Sequence, residues 1–321
     1  MALVLVEHEA GVPDDASLQA LALARELDPG SVLDALLLGA DGAAAADTLG
    51  RHGVATAHVA EHEALTGFAP DAWARVLVDL AERSGATVVA AAGSERGNEV
   101  MARAAARLDE PLATNVIEAS GSGPWTVTRV RWGGSLLEEA RLDADRALLT
   151  IQPHAVTAVA MGDGAASVAA FTPQLDSGDL VVRASERVGA PTGGVSLADA
   201  KVVVSAGRGA GSTEGFAGVE ELAALLGGAV GCSRAVTMAG WRPHTDQVGQ
   251  TGTKIAPDLY IACGISGATQ HMAGCKGAKA ILAVNSDPEA PILSSADYAV
   301  IGDLHEVVPA ICAAIREARA S

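Results

Sequence analysis

Residues 202–212 read VVVSAGRGAGS, and a helical pattern follows over residues 216–226. The stretch begins as a short apolar strand, turns at Gly207, Gly209 and Gly211, and continues into a helix. A strand that runs through a glycine turn into a helix is the first half of a β-α-β unit, whose strands are parallel and buried. This stretch therefore predicts an α/β fold with a parallel sheet for the C-terminal part of the chain.

The same alternation of apolar strands and helical segments continues on both sides of this stretch. Leu18–Leu27 and Asp71–Arg83 are predicted helices, with Asp41 and Asp71 as N-caps and Gly85 as a helix end. The other predicted elements are strands at Leu3–Val6, Leu33–Leu38, Thr56–Val59, Thr87–Ala91, Lys201–Ser205, Leu259–Ala262, Ala280–Val284 and Tyr298–Ile301, and a closing helix at Leu304–Arg319. Each half of the chain is thus predicted to be a mostly parallel sheet with flanking helices.

The middle of the chain has a different sequence pattern, which predicts closely spaced strands joined by turns. Three strands are predicted there as an antiparallel addition to the first domain: Thr126–Val130, Ser135–Ala140 and Leu148–Ile151. Prolines and glycines then punctuate residues 172–200, which predicts a linker with a strand at Leu180–Ala184. The predicted domains are residues 1–190, comprising the α/β domain, its antiparallel addition and the linker, and residues 191–321.

Composition excludes several classes of function. Hydrophobic residues make up 49% and charged residues 19% of the 321 residues, so the chain can bury two ordinary cores. Lys and Arg number 22 against 39 Asp and Glu, which gives a net charge of −17. Such a surface repels polyanions, and only 3% of the residues are aromatic. We therefore expect no nucleic-acid partner.

Segments for targeting or membrane insertion are not expected either. The N-terminus has no basic region and its apolar run ends at Glu7, which predicts a first strand. No uninterrupted apolar run approaches the ~18 residues of a membrane-spanning helix. Four cysteines (Cys232, Cys263, Cys275 and Cys312) contain no C-x-x-C pair, so neither a zinc site nor a disulfide framework is expected. The expected location is a reducing cytoplasm.

The glycine turn after the strand at residues 202–205 is a candidate anion site. Free amides at a helix start suit a phosphate, and Arg208 within the turn can pair with one bidentately. The spacing departs from G-x-G-x-x-G because the third glycine falls one residue early. A tight turn that needs only small residues is the alternative.

Further strand ends carry polar groups, and in an open α/β sheet the carboxyl ends of strands face the ligand. Ser233 and Arg234 follow one strand, a polar loop covers residues 247–252, and a second glycine turn leads to His271. Each has an ordinary alternative, because a loop arginine is usually a solvated charge and a lone histidine is usually structural. Asn285 and Asp303 end two more strands, although an aspartate at a helix start also serves as an N-cap.

Six segments of the second half combine into one pattern: GRG at 207–209, GCSRA at 231–235, QVGQTG at 247–252, APDLYIACGISGATQH at 256–271, NSDPEAPI at 285–292, and ADY with GD at 296–303. The pattern closely resembles the electron-transfer flavoprotein alpha subunit family. The resemblance runs almost continuously over residues 201–311, whereas residues 1–170 resemble the family's N-terminal domain mainly in layout.

The resemblance implies a Rossmann-like C-terminal domain that binds FAD. It also implies a heterodimer with a homologous beta subunit, which the N-terminal domain is expected to contact. Single electrons would pass from flavin dehydrogenases to a quinone oxidoreductase or another acceptor. Such a chain is an electron carrier and not an enzyme with its own substrate.

The resemblance also implies roles for individual residues, with none of them catalytic. Arg208 belongs to the FAD contacts, Ser233 and Arg234 lie near the isoalloxazine ring, and Thr251 hydrogen-bonds N5 of the flavin. The remaining implied FAD-binding residues are Val248, Gly249 and Gln250 in the flavin loop, Ser266, Gly267, Ala268, Thr269 and Gln270 in the pyrophosphate turn, His271 near O2 of the ring, and Asn285 and Asp303 toward the adenosine. The stretch from Gly240 to Asp246 departs from the family pattern, and Arg242 and His244 there are candidates for shifting the flavin potential or the partner interface.

Three alternatives stay open at this level. The chain could belong to a flavin-based electron-bifurcating complex, which needs a second FAD in the beta subunit. It could be a catalytic FAD- or NAD-dependent enzyme that uses His271 as a general base. It could also be a binding module that holds a nucleotide only for assembly. The sequence shows no Ser-His-Asp order, paired carboxylates or metal cluster, which favours the carrier.

Overall fold

The fold is taken from a computed structural model that describes residues 1–134, 136–184 and 196–320. The chain forms two compact units, Met1–Arg187 and Val188–Ser321. The domain boundary that we predict between residues 190 and 191 lies outside the described residues.

The first unit is an α/β layer structure built on a nine-stranded sheet of order β11-β5-β4-β1-β6-β10-β7-β8-β9. Its strands are β1 Ala2–Leu5, β2 His8–Glu9, β3 Val12–Pro13, β4 Leu33–Leu38, β5 Thr56–Ala60, β6 Val88–Ala92, β7 Leu112–Gly121, β8 Trp125–Arg131, β9 Leu136–Leu142, β10 Ala147–Ile151 and β11 Ser167–Phe171, of which β2 and β3 form a separate pair. Its helices are α1 Asp15–Leu27, α2 Ala46–Arg51, α3 Pro70–Ser84 and α4 Glu95–Leu108. Side chains of α1 and α2 pack on one face of the sheet and those of α3 and α4 on the other.

The antiparallel part of this sheet differs from the prediction. Strands β7, β8 and β9 are antiparallel neighbours, but β10 lies between β6 and β7 and runs parallel to both. Grouping Leu148–Ile151 with the antiparallel addition was therefore wrong. All five residues of β10 are buried, as expected for a central parallel strand covered on both faces. The patterns also missed β7 and β11.

Three smaller predictions in the first unit are also wrong. Residues 180–184 form a turn and irregular backbone and not a strand: Leu180 packs partly against the core, but Val181 and Val182 are both exposed. Asp71 is not the N-cap of α3, because Pro70 starts the helix and Asp71 instead pairs with Arg103 at 2.8 Å. Asp41 lies inside the 3-10 turn Ala40–Ala45 and not at a cap. Gly85 is confirmed as a helix end, with a left-handed φ of 66°.

A buried carboxyl group ends the central strand β1. The chain leaves β1 toward β4 on one side and continues through β6 on the other, so the β1–β6 boundary is the switch point of this sheet. Glu7 follows β1, and its Oε1 accepts a hydrogen bond from the Ser94 hydroxyl. Ser94 caps α4 by accepting from the backbone N of Gly97 at 2.8 Å. Burial raises the pKa of Glu7, whose side chain thus fills the start of α4.

The second unit is a five-stranded, fully parallel sheet of order β13-β12-β14-β15-β16. Its elements are β12 Val202–Ala206, α5 Ala217–Leu226, β13 Ala229–Cys232, α6 Arg234–Met238, β14 Leu259–Cys263, α7 Thr269–Cys275, β15 Ile281–Asn285, β16 Tyr298–Ile301 and α8 Leu304–Ala320. Helices α5 and α8 pack on one face and α7 on the other. The α/β class with parallel sheets and flanking helices is confirmed. The chain reverses direction across the sheet between β12 and β14, which makes their carboxyl ends the place where an open sheet binds ligands.

All four cysteines are buried as free thiols in the second unit. Burial raises the pKa of Cys232, Cys263 and Cys275 to about 12, so these thiols stay protonated and unreactive at neutral pH. In the described ranges, no helix is both long and apolar enough to cross a membrane. Those ranges also contain no cluster of three or more His, Cys, Asp or Glu side chains that could hold a metal ion.

Candidate cofactor site

A cavity of about 530 Å³ opens at the carboxyl ends of the second sheet, at the switch point between β12 and β14. Its volume lies in the range of small-molecule and cofactor sites, about 300–1,000 Å³. Twelve of the fifteen residues that we predict to bind the cofactor line it: Arg208, Ser233, Arg234, Val248, Gly249, Gln250, Thr251, Ser266, Ala268, Gln270, His271 and Asn285. Segments that are up to about 80 residues apart in sequence therefore meet in one place.

Backbone rather than side chains brings the turns after β12 and β14 together. A Cβ atom at Gly207 would lie 2.3 Å from the carbonyl oxygen of Gly264. The backbone N of Gly207 donates to Cys263 O at 2.9 Å, and that of Gly209 donates to Gly264 O at 3.3 Å. Gly264 also has a left-handed φ of 61°. Only glycine permits this approach, so these turns hold the two strand ends against each other.

The cavity is equipped for an anion. Arg208 and Arg234 are exposed and line it, and neither forms an ion pair with any residue that the structure describes. In a chain of net charge −17, two unpaired guanidinium groups in one cavity are notable because carboxylates are abundant. Within the described ranges, the backbone N–H groups of the lining residues Ser266 and Ala268 also lack a hydrogen-bond acceptor. Both sets of donors are available to a phosphate group.

The loop after α6 is held from two sides. Buried Gln247 contacts two hydroxyl groups: its Oε1 lies 2.8 Å from Thr237 Oγ1 and its Nε2 lies 3.0 Å from Thr251 Oγ1. From the other side, Gly274 of α7 lies so close that a Cβ there would be 2.3 Å from the backbone N of Gly249. The position of the Thr251 hydroxyl is thus set by a buried amide and by direct helix–loop packing.

His271 is a buried, neutral member of the cavity wall. Its Nε2 lies 2.7 Å from the hydroxyl of Tyr260. Burial lowers the pKa of His271 from 6.5 to about 4, and the backbone of Val248 offsets part of this effect. At neutral pH the side chain is therefore an uncharged imidazole.

This lowered pKa predicts a pH dependence of stability. The unfolded chain binds the proton near pH 6.5, whereas the folded chain binds it only near pH 4. The free energy of unfolding should therefore fall as the pH drops through this window, by roughly 3 kcal/mol in total. Urea unfolding at pH 7.5 and pH 4.5 should show most of this loss in the wild type and less of it in His271→Gln. The exposed His305→Gln is the control, and an equal loss in His271→Gln would contradict the prediction.

Three predicted residues lie outside the cavity lining. Asp303 accepts a hydrogen bond from the backbone N of His305 at 2.9 Å, as an N-cap of α8 does. Gly267 packs against Ile292, since a Cβ there would lie 2.5 Å from the backbone N of Ile292. Thr269 is exposed at the start of α7. Asn285 does line the cavity, but its amide donates to Ile265 O at 2.8 Å and accepts from Asp287 N at 3.0 Å.

Ten lining residues are additional to those predicted. They are Gly207, Gly209, Ala235, Gln247, Gly264, Ile265, Ser286, Asp287, Ala290 and Pro291. All ten belong to the six segments on which the resemblance rests. The segments therefore indicated where the cavity lies, but not which of their residues line it. In the divergent stretch, Arg242 pairs with Asp246 at 2.8 Å and lies over the Phe216 ring at 5.4 Å. Neither Arg242 nor His244 lines the cavity.

Comparison with known families covers both units. Residues 2–176 match the electron transfer flavoprotein domain, and residues 196–276 match the electron transfer flavoprotein FAD-binding domain. The electron transfer flavoprotein subunit alpha of Mycobacterium leprae (strain TN) is 39% identical over 320 residues, covering 98% of each chain. The chain belongs to the electron transfer flavoprotein alpha-subunit family.

Other relatives agree with this membership. The electron transfer flavoprotein subunit alpha of Bacillus subtilis (strain 168) is 35% identical over 308 residues, which cover 96% of this chain and 94% of the relative. Protein FixB of Clostridium saccharobutylicum is 34% identical over 320 residues, which cover 98% of this chain and 96% of the relative. The predicted family is therefore confirmed.

FAD is the cofactor that the family's C-terminal domain binds, and the predicted cofactor is confirmed for this chain. The matched residues 196–276 run from before β12 to the end of α7 and include most of the cavity lining. The site also fits FAD chemically, because guanidinium and amide donors that have no partner in the described part of the chain suit its pyrophosphate.

One substitution can show whether Asp303 acts as a helix cap or as a contact to FAD. Asp303→Ala is expected to lower the free energy of unfolding by about 1 kcal/mol through the lost cap, while the affinity for FAD stays within about twofold. Asp303→Ser keeps a capping oxygen and should restore stability. Urea unfolding and FAD fluorescence titration measure the two quantities. A tenfold loss of FAD affinity at unchanged stability would instead make Asp303 a ligand contact.

Proposed function

We propose that this chain is the FAD-carrying alpha subunit of an electron transfer flavoprotein. It accepts single electrons from flavin dehydrogenases and passes them to a quinone oxidoreductase or another acceptor, without substrate turnover of its own. The observation that carries the proposal is the cavity at the switch point, where two guanidinium groups of a strongly acidic chain form no ion pair with the residues that the structure describes. This arrangement suits a permanently bound, phosphate-bearing cofactor.

The titratable groups of the site favour a carrier over an enzyme. Burial lowers the pKa of His271 to about 4, too low for an effective general base at neutral pH. The buried thiols of Cys232 and Cys263, at the ends of β13 and β14, have a pKa raised to about 12 and are poor nucleophiles. These groups are poorly suited to turning over a substrate.

Bound FAD supplies the one-electron redox chemistry, and the protein supplies its position and electrostatics. We assign the pyrophosphate to the amides of Ser266, Gly267 and Ala268 and to the adjoining turn through Thr269 and Gln270. The cation of Arg234, with Ser233 beside it, favours negative charge that develops on the ring. Val248, Gly249 and Gln250 line the ring, and Thr251 offers it a hydroxyl.

The partner that we propose is an electron transfer flavoprotein beta subunit, bound mainly through the first unit. The β8–β9 hairpin of that unit exposes large apolar side chains, with Trp132 80% and Leu137 68% accessible. Exposed apolar groups of this size on one hairpin are typical of a protein contact. We place the complex in the cytoplasm, because four free buried thiols suit a reducing compartment.

An anaerobic reductive titration tests the proposal. The chain is co-expressed with a beta subunit, purified, and followed by visible absorption as reductant is added. The expected result is one FAD per complex that takes up electrons in two separate one-electron steps. Reduction in a single two-electron step would contradict the carrier function, and a preparation with bound nucleotide but no flavin would favour the assembly module.

A further inference from the structure

An arginine in the stretch that departs from the family pattern joins two elements of the second unit. Arg242 donates through Nη1 to Oε1 of Glu220 in α5, and through Nε to Oδ2 of Asp246 at 2.8 Å. Its guanidinium carbon also lies 5.4 Å from the centre of the Phe216 ring, which is fully buried at the start of α5. A guanidinium suits all three contacts together, because it has five donors in one plane and stacks on aromatic faces.

The contact with Asp246 is the firmer of the two ion pairs. Nε and Nη2 of Arg242 both lie 2.8 Å from Oδ2 of Asp246. The side chains of Arg242 and Asp246 are 20% and 21% accessible, whereas that of Glu220 is 52% accessible. Partial burial reduces the screening of a charge pair by water and salt. Arg242 therefore holds Asp246 closely and attaches it to α5.

A 3-10 turn connects Asp246 to the flavin loop. The turn covers His244–Asp246, and the backbone N of the next residue, Gln247, donates to His244 O at 3.0 Å. The side-chain amide of Gln247 contacts the Thr251 hydroxyl at 3.0 Å, and both residues line the cavity. A displacement of Asp246 therefore moves Gln247, and with it the hydroxyl that Thr251 presents to the cavity.

On its other side, Arg242 is joined to the helix that follows the first glycine turn. That turn includes Arg208, which lines the cavity, and the chain continues from it into α5. A second contact supports the same connection, because the Thr213 hydroxyl lies 3.5 Å from Trp241 O. Arg242 and Asp246 do not line the cavity themselves. They therefore link two parts of its wall from outside.

We infer that Arg242 is a positioning residue of the FAD site, which fixes the start of the flavin loop against α5 and so holds the Thr251 hydroxyl in place. The inference rests on the proposed function, because that function puts FAD in this cavity. Its distinct content is a residue outside the cavity that acts on the cofactor through the geometry of the loop and not through its own charge.

The test separates geometry from charge. The complex of the full chain with its beta subunit is prepared as wild type, Arg242→Met and Asp246→Leu, which change the net charge in opposite directions. Both variants should bind FAD about fivefold more weakly, as for the loss of one hydrogen bond. Both should also take up the first electron at a potential about 40 mV lower, because a hydroxyl directed at the ring favours the electron-rich, reduced cofactor. This shift is the same fivefold change at about 59 mV per tenfold.

Arg316→Met is the matched control. Arg316 in α8 pairs with Glu221, the neighbour of Glu220 in α5, at 2.7 Å, so its loss removes the same charge and the same kind of contact without touching the flavin loop. FAD fluorescence titration and anaerobic potentiometry should give wild-type values for this variant.

Each other outcome overturns a defined part. Opposite shifts in Arg242→Met and Asp246→Leu would show that charge alone acts and would overturn the inference. Wild-type affinity and potential in Asp246→Leu would overturn it even if Arg242→Met fails to fold. Equal losses in Arg316→Met would assign the effect to the general stability of α5 and would also overturn it. A wild-type complex that retains no FAD would instead overturn the proposed function.

Discussion

Replacing Arg234 by alanine is expected to weaken FAD binding by roughly 10- to 100-fold and to lower the potential for the first electron by roughly 60–120 mV. The affinity estimate corresponds to the loss of hydrogen bonds to a charged group, about 1.5–3 kcal/mol. The potential follows because a cation near the ring favours the reduced, more negative flavin, and about 59 mV corresponds to 1.4 kcal/mol for one electron. Arg234 lines the cavity without an ion pair in the described part of the chain, so its charge is free to act on the cofactor.

The measurements are FAD fluorescence titration and anaerobic potentiometry. Arg319→Ala is the control, because it removes the same charge from the exposed side of α8, away from the cavity lining. It should leave both quantities unchanged. Equal losses in both variants would show that only the net charge matters and would contradict a specific role for Arg234. An unchanged potential in Arg234→Ala would contradict the proposed electrostatics.

The second large effect is expected from Gly274→Ala. A Cβ at this position would lie 2.3 Å and 2.4 Å from the backbone N and Cα of Gly249, and backbone atoms cannot rotate away. Helix α7 and the flavin loop must therefore separate. We expect a loss of roughly 1–3 kcal/mol in the free energy of unfolding, as for other overpacked sites, and at least tenfold weaker FAD binding.

Gly218→Ala in α5 is the matched control for this substitution. Its Cβ would lie 3.4 Å from a Val308 side-chain carbon, an ordinary contact, and alanine is favoured over glycine inside a helix. Stability should rise slightly, with FAD binding unchanged. Urea unfolding and FAD titration separate the two variants. Gly274→Ala with wild-type FAD affinity would show that the loop does not depend on this contact.

The second sheet was predictable because its strands are continuous apolar runs between glycine-rich turns. Val202–Ala206 and Leu259–Cys263 are mostly buried. Strands that are apolar on both faces are typical of the interior of a parallel sheet, which helices cover on both sides. Leu148–Ile151 has the same apolar character, but its neighbours in sequence are antiparallel. Sequence proximity therefore gave the wrong partner, and only the long-range pairing with β6 places it correctly. Strand β11 has the apolar sequence SVAAF but is mostly exposed, because it is an edge strand of the sheet.

The site was predictable at the level of segments and less so at the level of side chains. Motifs located the turns, and the fold of the sheet brings them together. Whether Asp303 faces a ligand or its own helix depends on a rotamer, which a motif does not encode. The Tyr260–His271 hydrogen bond depends on β14 and α7 packing together, and whether Arg234 forms an ion pair depends on where every carboxylate lies. Side-chain contacts of this kind depend on the whole fold, so local sequence motifs cannot predict them.

Glu7 bears on how many nucleotides one chain can hold. Both units are open α/β sheets with a switch point, where such sheets bind ligands, so each unit has a place that could take a nucleotide. In the first unit, however, a side chain of the protein already occupies the helix start beside β1, where a phosphate would otherwise lie. We therefore expect one nucleotide per chain, bound in the second unit, because the Glu7 carboxylate takes the place of a phosphate in the first unit.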